Sequence, residues 1–221
     1  MIRFQRTINA TAALAAVLVT SPVEAQSAKA VLDHAVSAWA NVKSLSGTFE
    51  QTLENTLLHT TGVAHGTYSQ QRPNKLAVRF TDPGGDAIVS DGKFLWVYLK
   101  QSAPDKVIKR PASDRDDVPI DISQFLDNAA ARFDITRTGA ESVNGRPAQV
   151  LSLTPKSGTR AAFTHATVWV DDADGLVRQF EVVENANLTR RIRLQTLNVN
   201  PTLGASEFTF TIPKGVKVVT P

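Results

Sequence analysis

Arg72-Pro73-Asn74-Lys75-Leu76-Ala77-Val78-Arg79-Phe80, then a Pro83-Gly84-Gly85 break, then Ala87-Ile88-Val89-Ser90-Asp91-Gly92-Lys93-Phe94-Leu95-Trp96-Val97-Tyr98: on this stretch the reading of the whole chain turns. Apolar residues alternate at Leu76, Val78 and Phe80 and again at Phe94, Trp96 and Tyr98, the period of strands with one covered face. Asp91-Gly92 lies between Ile88-Val89 and Leu95-Trp96, where a two-residue turn needs positive φ, so a hairpin is expected there.

Outward from this stretch the pattern repeats. Toward the amino terminus, Thr48 to Leu53 alternates on Phe49, Gln51 and Leu53, and Gly62 to Ser69 supplies another strand. Ala28 to Val42, behind Ser27 as N-cap, carries Val31, Leu32, Ala35, Val36 and Trp39 at helical spacing. Toward the carboxyl terminus, Asn144-Gly145 and Asp174-Gly175 separate further alternating runs as hairpin turns, and the chain closes on Phe208-Thr209-Phe210 and Lys214-Gly215-Val216-Lys217-Val218.

Between Ser102 and Asp121 the alternation fails. Pro104, Pro111 and Pro119 surround the charged run Ser113 to Asp117, with only Lys106 to Lys109 strand-like inside, so this segment reads as a mobile loop. It leads into Ile122 to Ala131, where Ser123 is expected to cap a short helix showing Phe125, Leu126 and Ala129 on one side, a lid. The count is about ten or eleven antiparallel strands. A long antiparallel sheet must hide its edges, so the expected fold is mainly β: an unclosed antiparallel β-barrel covered by the helices at 28–42 and 122–131.

Residues 1–25 read as a cleaved secretory signal: Arg3 and Arg6, an apolar run from Ile8 to Val19, and Val23-Glu24-Ala25 before the cut. That run is shorter than the roughly 20 apolar residues of a spanning helix, so residues 26–221 are expected as one exported, non-spanning domain. The chain of 221 residues contains no cysteine, which excludes disulfides, thiolate sites and a lipid anchor on cysteine. Its net charge of +3 is scattered rather than gathered in a run, against nucleic acid. No nucleophile elbow, phosphate loop, dinucleotide fingerprint or zinc-protease motif is present, so neither an enzyme nor a cofactor is expected. His34, His59, His65 and His165 lack ligand spacing. Asp171 to Gly175 resembles part of a calcium loop without its closing Glu and reads as a hairpin turn.

Phe49, Phe80, Trp96, Tyr98, Trp169 and Phe180 are core by default, yet alternation alone does not separate a packed interior from a cavity wall. Val78 shares the strand of Phe80 and the same ambiguity. Arg72 is either a solvated arginine before a turn proline or a partnered one.

Four segments resemble the LolA-type periplasmic lipoprotein carriers: Ser46 to Thr52 with its Phe-x-Gln, Arg72 to Tyr98 with Arg-Pro-Asn and Val-Ser-Asp-Gly-Lys-x-Leu-Trp-x-Tyr, Val168 to Glu184, and Glu207 to Val218. The resemblance implies an unclosed antiparallel barrel with a helical lid. It implies a periplasmic monomer that accepts acylated lipoproteins from an ATP-driven inner-membrane complex and delivers them to an outer-membrane receptor. It further implies that Arg72 latches the lid. The one-sided apolar strand pattern facing the two helices makes Phe49, Val78, Phe80, Trp96, Tyr98, Trp169 and Phe180 the acyl-cavity candidates, with Phe125 and Leu126 in the lid. Two alternatives stand beside it: a receptor or lipid-anchor sensor of the same fold, against which the missing cysteine counts, and a secreted β-sheet hydrolase or glycan-binding module.

Overall fold

The alternating segments enter one sheet. The computed structural model describes residues 27–113, 118 and 120–220. Helix α1 (Ala28–Ala40) precedes β1 (Ser44–Asn55), β2 (Thr60–Gln71), β3 (Lys75–Asp82), β4 (Gly84–Asp91), β5 (Phe94–Tyr98) and β6 (Lys106–Pro111). Two short helices, α2 (Ser123–Leu126) and α3 (Ala129–Arg132), lead to β7 (Phe133–Val143), β8 (Arg146–Pro155), β9 (His165–Asp171), β10 (Val177–Asn185) and β11 (Leu188–Val199). A 3-10 helix (Ala205–Phe208) and β12 (Lys217–Val219) complete the regular structure. The expected secretory segment lies outside the described residues.

The strand order is β12-β6-β5-β4-β3-β2-β1-β11-β10-β9-β8-β7, open at both ends. Two meanders meet where β1 pairs with β11, from Leu45 opposite Val199 to Asn55 opposite Leu188. Strands β6 and β7 follow one another in the chain but stand on opposite flanks of the sheet, so the connection between them must cross a face. That crossing carries α2 and α3, which join α1 in covering the sheet. β12 pairs parallel to β6 and shields that flank. Among the described residues there are twelve strands, where ten or eleven were expected. The proline-rich segment contributes a full strand in β6, and the last strand is Lys217–Val219, whereas Phe208 ends a 3-10 turn instead of opening a strand.

Turn chemistry explains the hairpins. Gly92 has φ of 96°, and Asp91 Oδ1 accepts from the N–H groups of Lys93 and Phe94, both at 2.7 Å. Asn144 and Gly145 both have positive φ, as a two-residue turn of matching twist requires. Helix α1 starts where expected, with Ser27 Oγ accepting from Ala30 N at 3.1 Å, but it ends at Ala40. Val31, Leu32, Ala35 and Trp39 are buried against the sheet, while Val36 is exposed. The expected 122–131 helix is two pieces, because Asn128 sits in the left-handed region at φ 55°. Ser123 does not cap it: Ile122 occupies that position, and the N–H and hydroxyl of Ser123 both donate to Asp121 Oδ1.

Ion pairs hold the β9–β10 turn: Asp171 and Asp174 are engaged by Arg146 and Arg178. Burial pushes the Asp171 carboxyl up, but the hydrogen bond from Arg146, another from the Ala173 N–H, and the charges of Arg178 and Arg146 outweigh it and hold its pKa at about 2. A carboxyl depressed below the ordinary value of about 3.9 adds stability that is fully present above that value and lost as pH falls through about 2. Urea midpoints measured from pH 5 downward should therefore decline less in Arg146→Met than in the parent. Equal acid slopes would deny the pair this role.

Gly66 in β2 is required by close approach. A Cβ there would lie 2.4 Å from Arg79 O and 2.6 Å from Phe49 Cζ, and its absence lets Phe49 and Phe80 meet edge to face at 5.3 Å between centroids. Gly66→Ala should cost about 1–3 kcal/mol in urea denaturation by overpacking; a loss under about 0.5 kcal/mol would mean that β2 shifts freely.

Candidate functional site

The sheet has an inner face, under α1 and the crossing connection, and an outer face. On the inner face Val78, Ile88, Val97 and Ile108 stand in one cross-strand row over β3 to β6. Val78 is buried in the packed core, whereas Ile88, Val97 and Ile108, with Phe80 above them, wall a cavity of about 520 Å3. Its volume falls within the range of about 300–1,000 Å3 usual for small-molecule sites. Val118 and Ile120 of the crossing connection roof it, and both are buried. Polar groups occupy one wall: Gln51 of β1, Glu184 of β10 and Arg190 of β11.

Three sets of contacts fasten the cover. Phe125 of α2 is fully buried, with its ring centroid 5.0 Å from that of Phe180 and 5.6 Å from that of Phe163. Leu126 is buried beside it in the same core. A buried polar chain comes next: Tyr68 Oη donates to Gln70 Oε1 at 2.5 Å, and Gln70 Nε2 donates to Asp121 Oδ1 at 3.1 Å. Finally, Arg72 Nη1 donates to the carbonyl of Trp39 at 2.9 Å, its guanidinium lies 5.1 Å from the Trp39 ring centroid, and Asp127 is 3.7 Å away. Trp39 Nε1 donates to the same Asp127 oxygen at 2.9 Å, so α1, the α2–α3 corner and the β2–β3 turn meet at one point. Arg72 is thus a partnered arginine.

The residues expected to line a cavity divide by face. Phe80 lines it. Phe49, Val78 and Phe180 share the inner face but belong to the packed core. Trp96 and Tyr98 point to the outer face, where Trp96 stacks on Phe210 at 5.7 Å and Tyr98 lies 6.1 Å from it. Trp169 is also on the outer face, packed with Val143, Ala148 and Val150 and donating to Glu141. The assignment of Trp96, Tyr98 and Trp169 to a cavity wall is corrected: along a strand, Leu95 and Val97 take the face opposite to Phe94, Trp96 and Tyr98, and the inner side is that of Val97. The cavity is also not under the two helices, since α1 and α2 plug the sheet solidly; it lies beyond them, under Val118 and Ile120. The reading of sequence missed Gln70 and Asp121. Their sole signal was polarity inside an apolar pattern, in Tyr68-Ser69-Gln70 and in Ile120-Asp121-Ile122.

The sequence profile described as outer membrane lipoprotein carrier protein LolA matches residues 40–211. An outer-membrane lipoprotein carrier protein of Cupriavidus taiwanensis is 27% identical over 218 residues, 96% of each chain. One of Klebsiella pneumoniae is 33% identical over 150 residues, 67% of each chain. A solved structure, an uncharacterized conserved protein from Thermus thermophilus, aligns over 88% of this chain and 99% of that one, with a TM-score of 0.52 at 14% identity, a likeness of fold alone. Among the described residues no helix is long and apolar enough to cross a membrane.

Proposed function

The chain belongs to the outer-membrane lipoprotein carrier family, LolA, and from that premise we propose that it works in the periplasm, taking acyl chains of lipoproteins released from the inner membrane and handing them to an outer-membrane receptor. The observation that carries this reading is the cavity of about 520 Å3, walled by Phe80, Ile88, Val97 and Ile108 and roofed by a segment crossing from one flank of the sheet to the other. Burial is worth roughly 0.8 kcal/mol per CH₂, so a chain of about fifteen carbons left in water costs on the order of 10 kcal/mol. A cover that must part for the chain and close behind it suits transfer, because cargo then exchanges between sites of comparable depth instead of settling in one. An ATP-driven complex of the inner membrane is the partner that supplies the energy in this reading.

The test is release and delivery. Spheroplasts incubated with the purified protein, residues 26–221, should shed acylated lipoproteins into the medium as soluble complexes with it, and the complexes should pass their cargo to outer-membrane vesicles. Lipoproteins that stay in the spheroplast membrane at every protein concentration would sink the proposal.

A further inference from the structure

We infer that the polar wall of this cavity selects neutral, ester- or amide-linked acyl chains over free fatty acids; the inference rests on the carrier reading and deepens it. Gln51 and Arg190 reach the inner face from adjacent strands, where Gln51 pairs with Ile192 and Arg190 with Leu53. Arg190 Nε donates to Glu184 Oε1 at 2.6 Å, and its Nη1 donates to Gln51 Oε1 at 2.6 Å. Two consequences follow from the donor and acceptor inventory. The guanidinium is neutralised inside the cavity by Glu184, so it offers an incoming carboxylate no uncompensated charge. The Gln51 carbonyl is already engaged, and the amide donor Nε2 of this cavity-lining side chain has no protein partner among the described residues.

The remaining charged side chains of the wall are Asp86 and Arg110. Asp86 accepts from Gln101 N at 3.0 Å, and Arg110 has partners of its own. Among the described residues the cavity lining therefore holds two acidic and two basic groups, Asp86, Glu184, Arg110 and Arg190, which balance. A carboxylate brought here loses its water without gaining a cation, which is costly. An ester or amide carbonyl gives up much less hydration and accepts one hydrogen bond from Gln51. An acylated cysteine presents its chains through such linkages, whereas a free fatty acid of the same chain length presents a charge.

The experiment is displacement of an apolar fluorophore, N-phenyl-1-naphthylamine, from the full-length mature protein at pH 8 by monolauroylglycerol and by laurate, which share one chain. The parent should bind the neutral ester at least about tenfold more tightly than the anion, one good hydrogen bond plus an avoided charge burial. Glu184→Gln, nearly isosteric, leaves Arg190 uncompensated and should raise laurate affinity until the ratio closes or inverts. Gln51→Leu should weaken the ester relative to laurate, since it removes the amide donor and frees one Arg190 donor. Equal affinities for the two ligands in the parent, or a ratio unmoved by Glu184→Gln, would overturn the inference while the carrier reading stands. A parent protein that takes up no fluorophore would overturn both.

Discussion

Phe125→Ala is expected to lower the stability of the folded protein by about 3–5 kcal/mol, the cost of truncating a fully buried phenylalanine. It should also raise the uptake of an apolar fluorophore several-fold. Both effects have one origin. Helix α2 spans only Ser123–Leu126, far short of the dozen or so residues at which a helix holds itself together in water. Its place is therefore set by what its side chains bury. Phe125 sits between Phe180 of the sheet and Phe163 of the β8–β9 connection, and without that ring the segment roofing the cavity loses a large apolar anchor beyond Ile122. Urea denaturation reads the first effect and fluorophore titration the second. A full loss of stability with unchanged fluorophore uptake would show that α2 is a fixed part of the core, not a movable cover.

Arg72→Leu should shift transfer instead of folding. Its guanidinium is about a third exposed and the Asp127 carboxylate about half, so the ion pair itself is worth little. The hydrogen bond to the Trp39 carbonyl, charge-assisted and fixed in direction by the planar fork, supplies most of the effect, about 1.5 kcal/mol at the low end for such bonds. Arg72 is remote from the cavity: β2 leads from Ala64 on the cavity wall to Gln71, roughly 24 Å of extended chain. It acts by steadying the corner where α1 meets the α2–α3 turn. If closure of the empty protein depends on that corner, its loss favours the open, loaded form, and cargo should be retained about tenfold longer while urea stability falls by only about 1.5 kcal/mol. Delivery to receptor-bearing vesicles slows accordingly. Normal delivery by the variant would reduce the Arg72 contacts to architecture, and the buried Gln70–Asp121 pair would then be the stronger fastening of the cover.

These two residues also show where sequence stops being informative. Alternation placed β1, β3 and β5, because a strand covered on one side must repeat every second residue, and the runs between turn signals placed β2, β4 and β7 to β11. Asp91-Gly92, Asn144-Gly145 and Asp174-Gly175 marked their turns, since few other residues adopt positive φ without strain. Ser27 marked the start of α1, and the word from Arg72 to Tyr98 marked the family. All of these are local properties, written within about a dozen residues of chain. The inner and outer faces were not: alternation is symmetric between the two sides of a strand, so Phe94, Trp96 and Tyr98 looked as suitable for a cavity as Leu95 and Val97 until the crossing connection covered one face and the carboxyl-terminal segment, with Phe210, covered the other. Nor was the meeting of Arg72 with Trp39 and Asp127, or of Gln70 with Asp121. Those contacts exist because β6 and β7, neighbours in the chain, lie on opposite flanks of an open sheet, so that the segment joining them is drawn across it and laid against β2. Local periodicity decides what each strand is; only closure of the whole sheet decides which side chains end up facing the space that a carrier uses.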